Sequence, residues 1–414
     1  MQPNYKTVKL ACYATNISMS VVSNLPPLLF LTLRPLYGIS YTLLGLLVVI
    51  NFVTQLIVDL IFSFFSHRFN IEKAVRMTPL ITAIGLIFYA LWPYVFPGNV
   101  YLGLVLGTII FSSGCGLAEV LISPVIAAIP SDDPDRQMSA LHSIYAWGVV
   151  FVILFGTVFL LLFGGKSWQY LALILSIIPI TASILFRCTK LPAMQTSKDS
   201  TDVLVFLKNK AVWLSVVAIF LGGAAECTMA QWCSSYIEKA IGIPKIWGDI
   251  FGVAMFSVLL GIGRSAYAKR GKRIGRVLLL CAIGSVFCYL VAALSSVPLI
   301  GLIACALTGL CTSMLWPGNL IAATERFPTA GVFLYALMAA GGDLGASVAP
   351  QLVGIITDGV IASSKLSAFA GQLGLAPDQL GMKLGMLVGM LFPLAAVFVI
   401  LRIRKDRVQR GLEK

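Results

Sequence analysis

Apolar residues fall along this chain in long runs separated by short polar breaks. A window of about 19 residues, suited to finding transmembrane helices, picks out twelve of them. They are 8–33, 41–65, 74–95, 101–129, 139–163, 168–187, 211–237, 247–268, 276–296, 298–322, 329–357 and 383–402. A helix needs about 20 apolar residues to cross a bilayer, so each run predicts one span. Pro and Gly mark the hairpins between them, as in Phe96-Pro97-Gly98-Asn99 and Phe163-Gly164-Gly165. Two hydrophilic stretches stand out. Residues 188–210 include Lys198, Asp199, Ser200, Thr201 and Asp202, and separate span six from span seven. Residues 359–382, rich in Gly, Ser and Ala, predict an exposed loop with a short amphipathic helix.

Composition points the same way. Of the 414 residues, 58% are apolar and 11% charged, against roughly 45–50% and 25% in soluble proteins. The expected class is an all-α polytopic membrane protein in contact with the lipid bilayer, and an ordinary soluble enzyme is excluded. The net charge of +13 would elsewhere suggest nucleic acid. Placing the N-terminus in the cytoplasm puts 23 basic residues on one side and six on the other, with Arg264 left inside a span. That asymmetry fits the positive-inside rule. It predicts a multi-pass protein of the cell's inner (plasma) membrane with both termini and the 188–210 linker cytoplasmic, and no nucleic-acid partner. The first run is long enough to remain as a span instead of leaving as a signal peptide. Nine cysteines without a C-x-x-C, and only two histidines, read as small apolar residues and give no metal site. No phosphate-binding loop appears. No cofactor, no enzymatic activity and no ATP-driven pumping are expected.

The two halves repeat. Gly116 and Pro124 of span four recur as Gly309 and Pro317 of span ten, 193 positions on. The same shift carries Leu141, Ala146 and Gly148 of span five onto Leu334, Ala339 and Gly341 of span eleven. Parallel repeats of this kind mark many transporters. They predict a six-helix half over 1–187, a cytoplasmic linker over 188–210 and a second six-helix half over 211–414.

Ionisable residues inside a bilayer are costly and are functional candidates by default. Glu119 shares a helical face with Ser112, Gly116 and Ser123, which suits a proton carrier or a helix-to-helix hydrogen bond. Glu226 follows Gly222-Gly223 and reads as a proton or substrate ligand, or as a partner of Arg264. Arg264 needs a counter-charge, for which Glu226 and Asp343 are the candidates; direct contact with substrate is the other reading. Span two carries Asn51, Gln55, Asp59, Ser63 and His67 at a spacing of four. Such a stripe lines a pathway or glues helices together, and Asp59 is counted with the gating charges. Span one places Asn16, Ser20 and Asn24 at the same spacing. Their amides suit the hydroxyls of a sugar, as do Gln231, Asn319 and Gln351. Trp147, Trp232, Trp316 and Tyr236 offer either a stacking face for a sugar or ordinary core packing.

Twelve spans, a six-plus-six repeat and basic loops after spans two and eight resemble the major facilitator superfamily. Its loop signature is similar to Ala268-Lys269-Arg270-Gly271-Lys272-Arg273, and a degenerate copy is Ser66-His67-Arg68-Phe69-Asn70. Within the superfamily, several pieces resemble the fucose–galactose–glucose:proton symporter branch. These are Gly114-Cys115-Gly116-Leu117-Ala118-Glu119 with Ser123-Pro124, Leu141-His142-Ser143-Ile144-Tyr145, Phe220 with Gly223-Ala224, Trp232 and Tyr236, and Gly263-Arg264. Span one lacks the acid of the fucose-permease type. The resemblance implies a major facilitator fold, Glu119 and Glu226 as proton-coupling groups, and His142 among the substrate contacts.

Together these readings predict a monomeric secondary active transporter. It would move a small-molecule substrate, a sugar or similar polar solute, by alternating access in symport with protons or sodium. An efflux antiporter for amphiphilic compounds would use the same carboxylates with methionines and aromatics as an adaptable pocket. A membrane sensor without flux is the third reading.

Overall fold

A computed structural model of the chain describes residues 5–65, 69–130, 134–192, 208–270, 273–327 and 331–411. Some side chains within its helices, those of Ser63, Ser123 and His142 among them, lie outside the described ones. Every extended element among the described residues is helical. Within hydrocarbon each backbone N–H and C=O must find a partner inside its own segment, and a helix provides that. Among the described residues, twelve helical stretches are long and apolar enough to cross a membrane. Their outward faces carry side chains such as Leu162 (69% exposed), Leu280 (70%) and Phe398 (67%). Apolar exposure on this scale marks a surface that faces lipid.

The chain forms two compact units, Met1–Tyr37 with Ile50–Asp199, and Gly38–Val49 with Ser200–Lys414. The first contains α1 (Lys6–Tyr37), α2 (Tyr41–Phe65) from Ile50 onward, α3 (Ile71–Val95), α4 (Val100–Ala127), α5 (Pro134–Phe163) and α6 (Trp168–Arg187). Asn70 starts α3 by accepting the Lys73 amide at 2.9 Å, as a capping side chain does. Helix α1 packs on α5, α6 and α4, and α3 packs on α4 and α6. Their shared core includes Ala11 and Cys12 of α1, Val75 of α3, Leu121 and Val125 of α4, and Phe186 of α6.

Besides Gly38–Val49, the second unit contains α7 (Lys210–Tyr236), which runs into a π-helical turn, Ile237–Ile241. A single turn at Lys245–Trp247 and a second π-helical stretch, Gly248–Ala254, lead into α8 (Met255–Arg270). Then come α9 (Ile274–Leu294), α10 (Pro298–Thr312), α11 (Pro317–Arg326), α12 (Gly331–Ala362), α13 (Ser364–Gln372) and α14 (Pro377–Gln409). Helix α7 packs on α12, α14 and α10, and α9 packs on α10 and α14. Spans seven, nine, ten, eleven and twelve thus touch the same neighbours within their unit as spans one, three, four, five and six do in theirs. That recurrence is what duplication at the 193-residue offset predicts.

Two details differ from the sequence reading. Span ten is not one helix, because it breaks into α10 and α11 around 313–316. A proline at 317 has no N–H to offer the Ser313 carbonyl, so the ladder is interrupted there. The 359–382 stretch holds the short helix expected there, with less open loop around it than the sequence reading gave. Helix α12 continues to Ala362, α13 fills Ser364–Gln372 and α14 already begins at Pro377.

Candidate functional site

In the first unit, α2 and α4 bring two acids together. Carboxylate oxygens of Asp59 and Glu119 lie within 4.8 Å of each other. Asp59 is 3% exposed, and its Oδ1 has no hydrogen-bond partner among the described residues. Glu119 is exposed. One face of this pair is therefore sealed in protein and the other is open. The same two helices are joined one step away by neutral groups. Asn51 Oδ1 accepts from Ser112 Oγ at 2.6 Å and from Gln55 Nε2 at 3.1 Å. Close approach makes this possible, since a Cβ on Gly116 would stand only 3.1 Å from the Gln55 Cα. Of the span-two stripe, Asn51 and Gln55 are thus glue, whereas Asp59 joins Glu119.

The polar stripe of span one makes its bonds to backbone, two of them on α5. Asn16 donates to the Leu141 carbonyl at 2.6 Å, Ser20 to the Tyr145 carbonyl at 2.8 Å, and Asn24 back to the Ser20 carbonyl at 2.9 Å. All three are buried. In this structure Asn16 and Ser20 thus join α1 to α5, while Asn24 bonds within α1. Trp147 is exposed. His142, with Ser66, His67, Arg68, Gly271 and Lys272 of the two loop signatures, lies outside the described residues or side chains.

In the second unit Arg264 pairs with Glu226, settling the choice that spacing left open. Its Nη2 donates to both Glu226 oxygens, at 2.9 and 3.1 Å, and its Nε donates to the Ser313 carbonyl at 3.1 Å. Ser313 O is the acceptor that Pro317 leaves vacant in the helical ladder. One guanidinium therefore ties α7 and α8 to the break in span ten. The pair is half open, with side-chain exposures of 37% for Arg264 and 14% for Glu226. Asp343 is buried in α12.

Several other candidates are buried or engaged by neighbouring groups. Trp232, expected to offer an aromatic face, has no exposed surface and donates to the Pro350 carbonyl at 2.8 Å. Tyr236 is equally buried and donates to the Ala292 carbonyl at 2.6 Å. Asn319 donates to the Leu315 and Ala218 carbonyls at 2.6 and 3.2 Å. Gln231 is buried. Gln351 donates to the Thr42 carbonyl at 3.2 Å. The ring of Trp316 packs on Gly223 and Gly342.

Two acids escaped the sequence reading. Asp249, fully buried in the π-helical stretch, accepts from Ser234 and pairs with Lys245 at 2.5 Å. The i, i+4 spacing of Lys245 and Asp249 is a readable ion-pair signal. Asp358 accepts from two backbone amides at the start of α2, and no local pattern announces it.

Comparison with known proteins bears on the fold. The bacterial homologue of the human lysosomal transporter Spinster, solved inward-facing and occupied, aligns with TM-score 0.77 at 13% identity, covering 98% of each chain. The E. coli fucose:proton symporter FucP aligns with TM-score 0.58 at 16% identity, over 95% of this chain and 99% of that one. A D-xylose–proton symporter gives 0.68 at 16% identity, over 95% and 96%. At such identities the likeness establishes the fold. No curated protein matches the sequence. The family model of the Major Facilitator Superfamily matches residues 11–350, and with twelve apolar helices in two units of recurring packing, the chain belongs to that superfamily of multi-pass membrane transporters.

Proposed function

We propose that the protein is a proton-coupled symporter, working as a monomer by alternating access, that imports a small polar solute of the sugar class across the cell's inner membrane. Both termini then lie in the cytoplasm. The Asp59–Glu119 pair carries this reading. Two full charges no more than 4.8 Å apart repel by about 3 kcal/mol or more at an effective dielectric near 20. Binding one proton removes that repulsion, and releasing it restores the repulsion. A conformational change that alters access to the exposed member, Glu119, therefore changes the proton affinity of the pair. A ligand shifts a two-state equilibrium only through such a difference in affinity. Glu226 is held by Arg264, which suits a positioning role in the second unit better than a carrier role. The solute class is supported by the company the fold keeps, which includes a fucose:proton symporter, a D-xylose–proton symporter and a nucleoside transporter.

The test is transport by purified protein in proteoliposomes, with labelled sugars and nucleosides in counterflow and under an imposed pH gradient. Glu119→Gln mimics the protonated acid. It should keep counterflow and lose accumulation driven by the pH gradient. Accumulation at the parent's level would remove Glu119 from the coupling step, and accumulation that follows a sodium gradient instead would change the ion. Counterflow of none of these solutes, with loss of drug tolerance in cells lacking the protein, would favour efflux.

A further inference from the structure

Spans nine and ten bring two thiols together. The Sγ atoms of Cys288 in α9 and Cys311 in α10 are 3.8 Å apart. Both helices belong to the second unit and pack on each other. They are consecutive spans joined by a short turn, so they run antiparallel. Each Cα–Cβ bond of a helix leans towards that helix's own N-terminus. On antiparallel neighbours the two thiols therefore lean towards each other. A glycine makes the room. Gly284 sits one turn before Cys288, and a Cβ there would stand 2.8 Å from the Cys311 Sγ. The first half has no such pair at the matching places, since Val95 and Ala118 stand 193 positions before Cys288 and Cys311.

Cys288 is buried and Cys311 half-buried. Cys311 borders the strip of α10 on which Ile303, Leu307 and Leu310 are exposed. Hydrogen peroxide is small and uncharged, so it reaches a thiol at that apolar boundary where a charged oxidant would not. Cys311 is then the attacking sulfur and Cys288 the resolving one. First, the Cys311 sulfur takes one peroxide oxygen as a sulfenic acid; the O–O bond breaks, and the other oxygen leaves as water with the thiol proton. Next, the Cys288 sulfur displaces that hydroxyl. The S–O bond breaks, the S–S bond forms, and the hydroxyl leaves as a second water with the Cys288 proton. Two thiols give up two electrons, and one peroxide becomes two waters. The sulfurs must close by about 1.8 Å to reach the ~2.0 Å of a disulfide, which is within the swing of a thiol about its Cα–Cβ bond. The product is neutral, so it suits surroundings in which a lasting thiolate is costly. We infer that Cys288 and Cys311 are a redox modification site, where hydrogen peroxide forms a disulfide that ties the end of α10 to α9 and a dithiol reopens it. Cys311 lies two residues before Ser313, where the break gripped by Arg264 begins. The bond therefore fixes the near side of that break. The site depends on neither the solute nor the coupling ion.

Peptide mapping of the full chain in lipid nanodiscs tests it. Hydrogen peroxide should join the peptides carrying Cys288 and Cys311 with the loss of two hydrogens, and dithiothreitol should separate them. Cys288→Ser removes the resolving thiol, so the sulfenic acid on Cys311 should then be trapped by dimedone. In Cys311→Ser, Cys288 should stay unlabelled. Gly284→Ala crowds the Cys311 sulfur and should slow formation of the link by about tenfold. With the bond closed, the amides at 313–316 should exchange with deuterium about tenfold more slowly than in the reduced protein. The exposed Cys188 serves as an internal control for the oxidant. No link at peroxide levels that oxidise Cys188 would show two packed thiols only and overturn the site. A link from Cys311 to some other cysteine would do the same. Unchanged exchange at 313–316 with the bond closed would overturn the tie to the break.

Discussion

Arg264 is the residue on which the second unit's polar chemistry converges. It holds Glu226 with one nitrogen and a backbone carbonyl with another. Exposed ion pairs contribute about 0–1 kcal/mol, whereas stranding one partner of a buried pair costs about 3–5 kcal/mol. At 37% and 14% exposure this pair belongs between those limits. Glu226→Ala and Arg264→Ala should each lower stability by about 1–3 kcal/mol. The double variant should lose less than the sum, leaving a coupling of about 1 kcal/mol, read from thermal unfolding in detergent. Additive losses would mean the pair is ornamental. The need for a partner was legible in the sequence, because an arginine inside a span cannot stand alone. Its identity was not, since Glu226 and Arg264 are 38 residues apart and Asp343 fitted equally well. The surroundings of Trp232 and Tyr236 were hidden for the same reason. An aromatic that stacks on a solute and one that fills a core look alike until distant neighbours, here Pro350 and Ala292, close over them.

Helices repeat less faithfully than residues. Pro124 and Pro317 occupy matching places 193 positions apart, yet α4 runs on past Pro124 to Ala127 while span ten stops and restarts at Pro317. A proline removes one ladder donor in both cases. At 317 the orphaned acceptor, Ser313 O, is taken by the Arg264 Nε, so the break has a partner to stabilise it. Pro317→Ala would restore an N–H to compete for that carbonyl. In this background Arg264→Ala should cost less than in the parent by about 1 kcal/mol, the net value of one hydrogen bond. An unchanged cost would mean that the carbonyl contact contributes little. The sequence located the proline but not the break, because continuity depends on what comes alongside from another span.

For the molecule as a whole, the number of spans, the all-helical class and the internal repeat were all legible, because hydrophobic length and spacing are local properties. The meeting of residues 59 and 119 was not, nor was the assignment of 38–49 to the second unit, since both depend on packing between segments far apart in sequence. Sidedness rests on charge alone. The excess of basic residues on one face predicts that a fluorescent or protease-cleavable tag after Lys414 is reached from the cytoplasm only. Cleavage of that tag from outside intact cells would reverse the orientation.

The carbonyl that Arg264 grips has a consequence for how this protein would look in a mutational survey. The grip is on backbone, so no codon at 313 deletes it. Exchanging the small side chain for another of similar size, as in Ser313→Ala, leaves the acceptor in place, and the position would score as tolerant. The code for that acceptor is written four residues later, in a proline that never touches the arginine through a polar atom. Position-by-position scores would therefore place the importance at 264 and 317 and leave 313 blank, although the chain's own oxygen there joins the two.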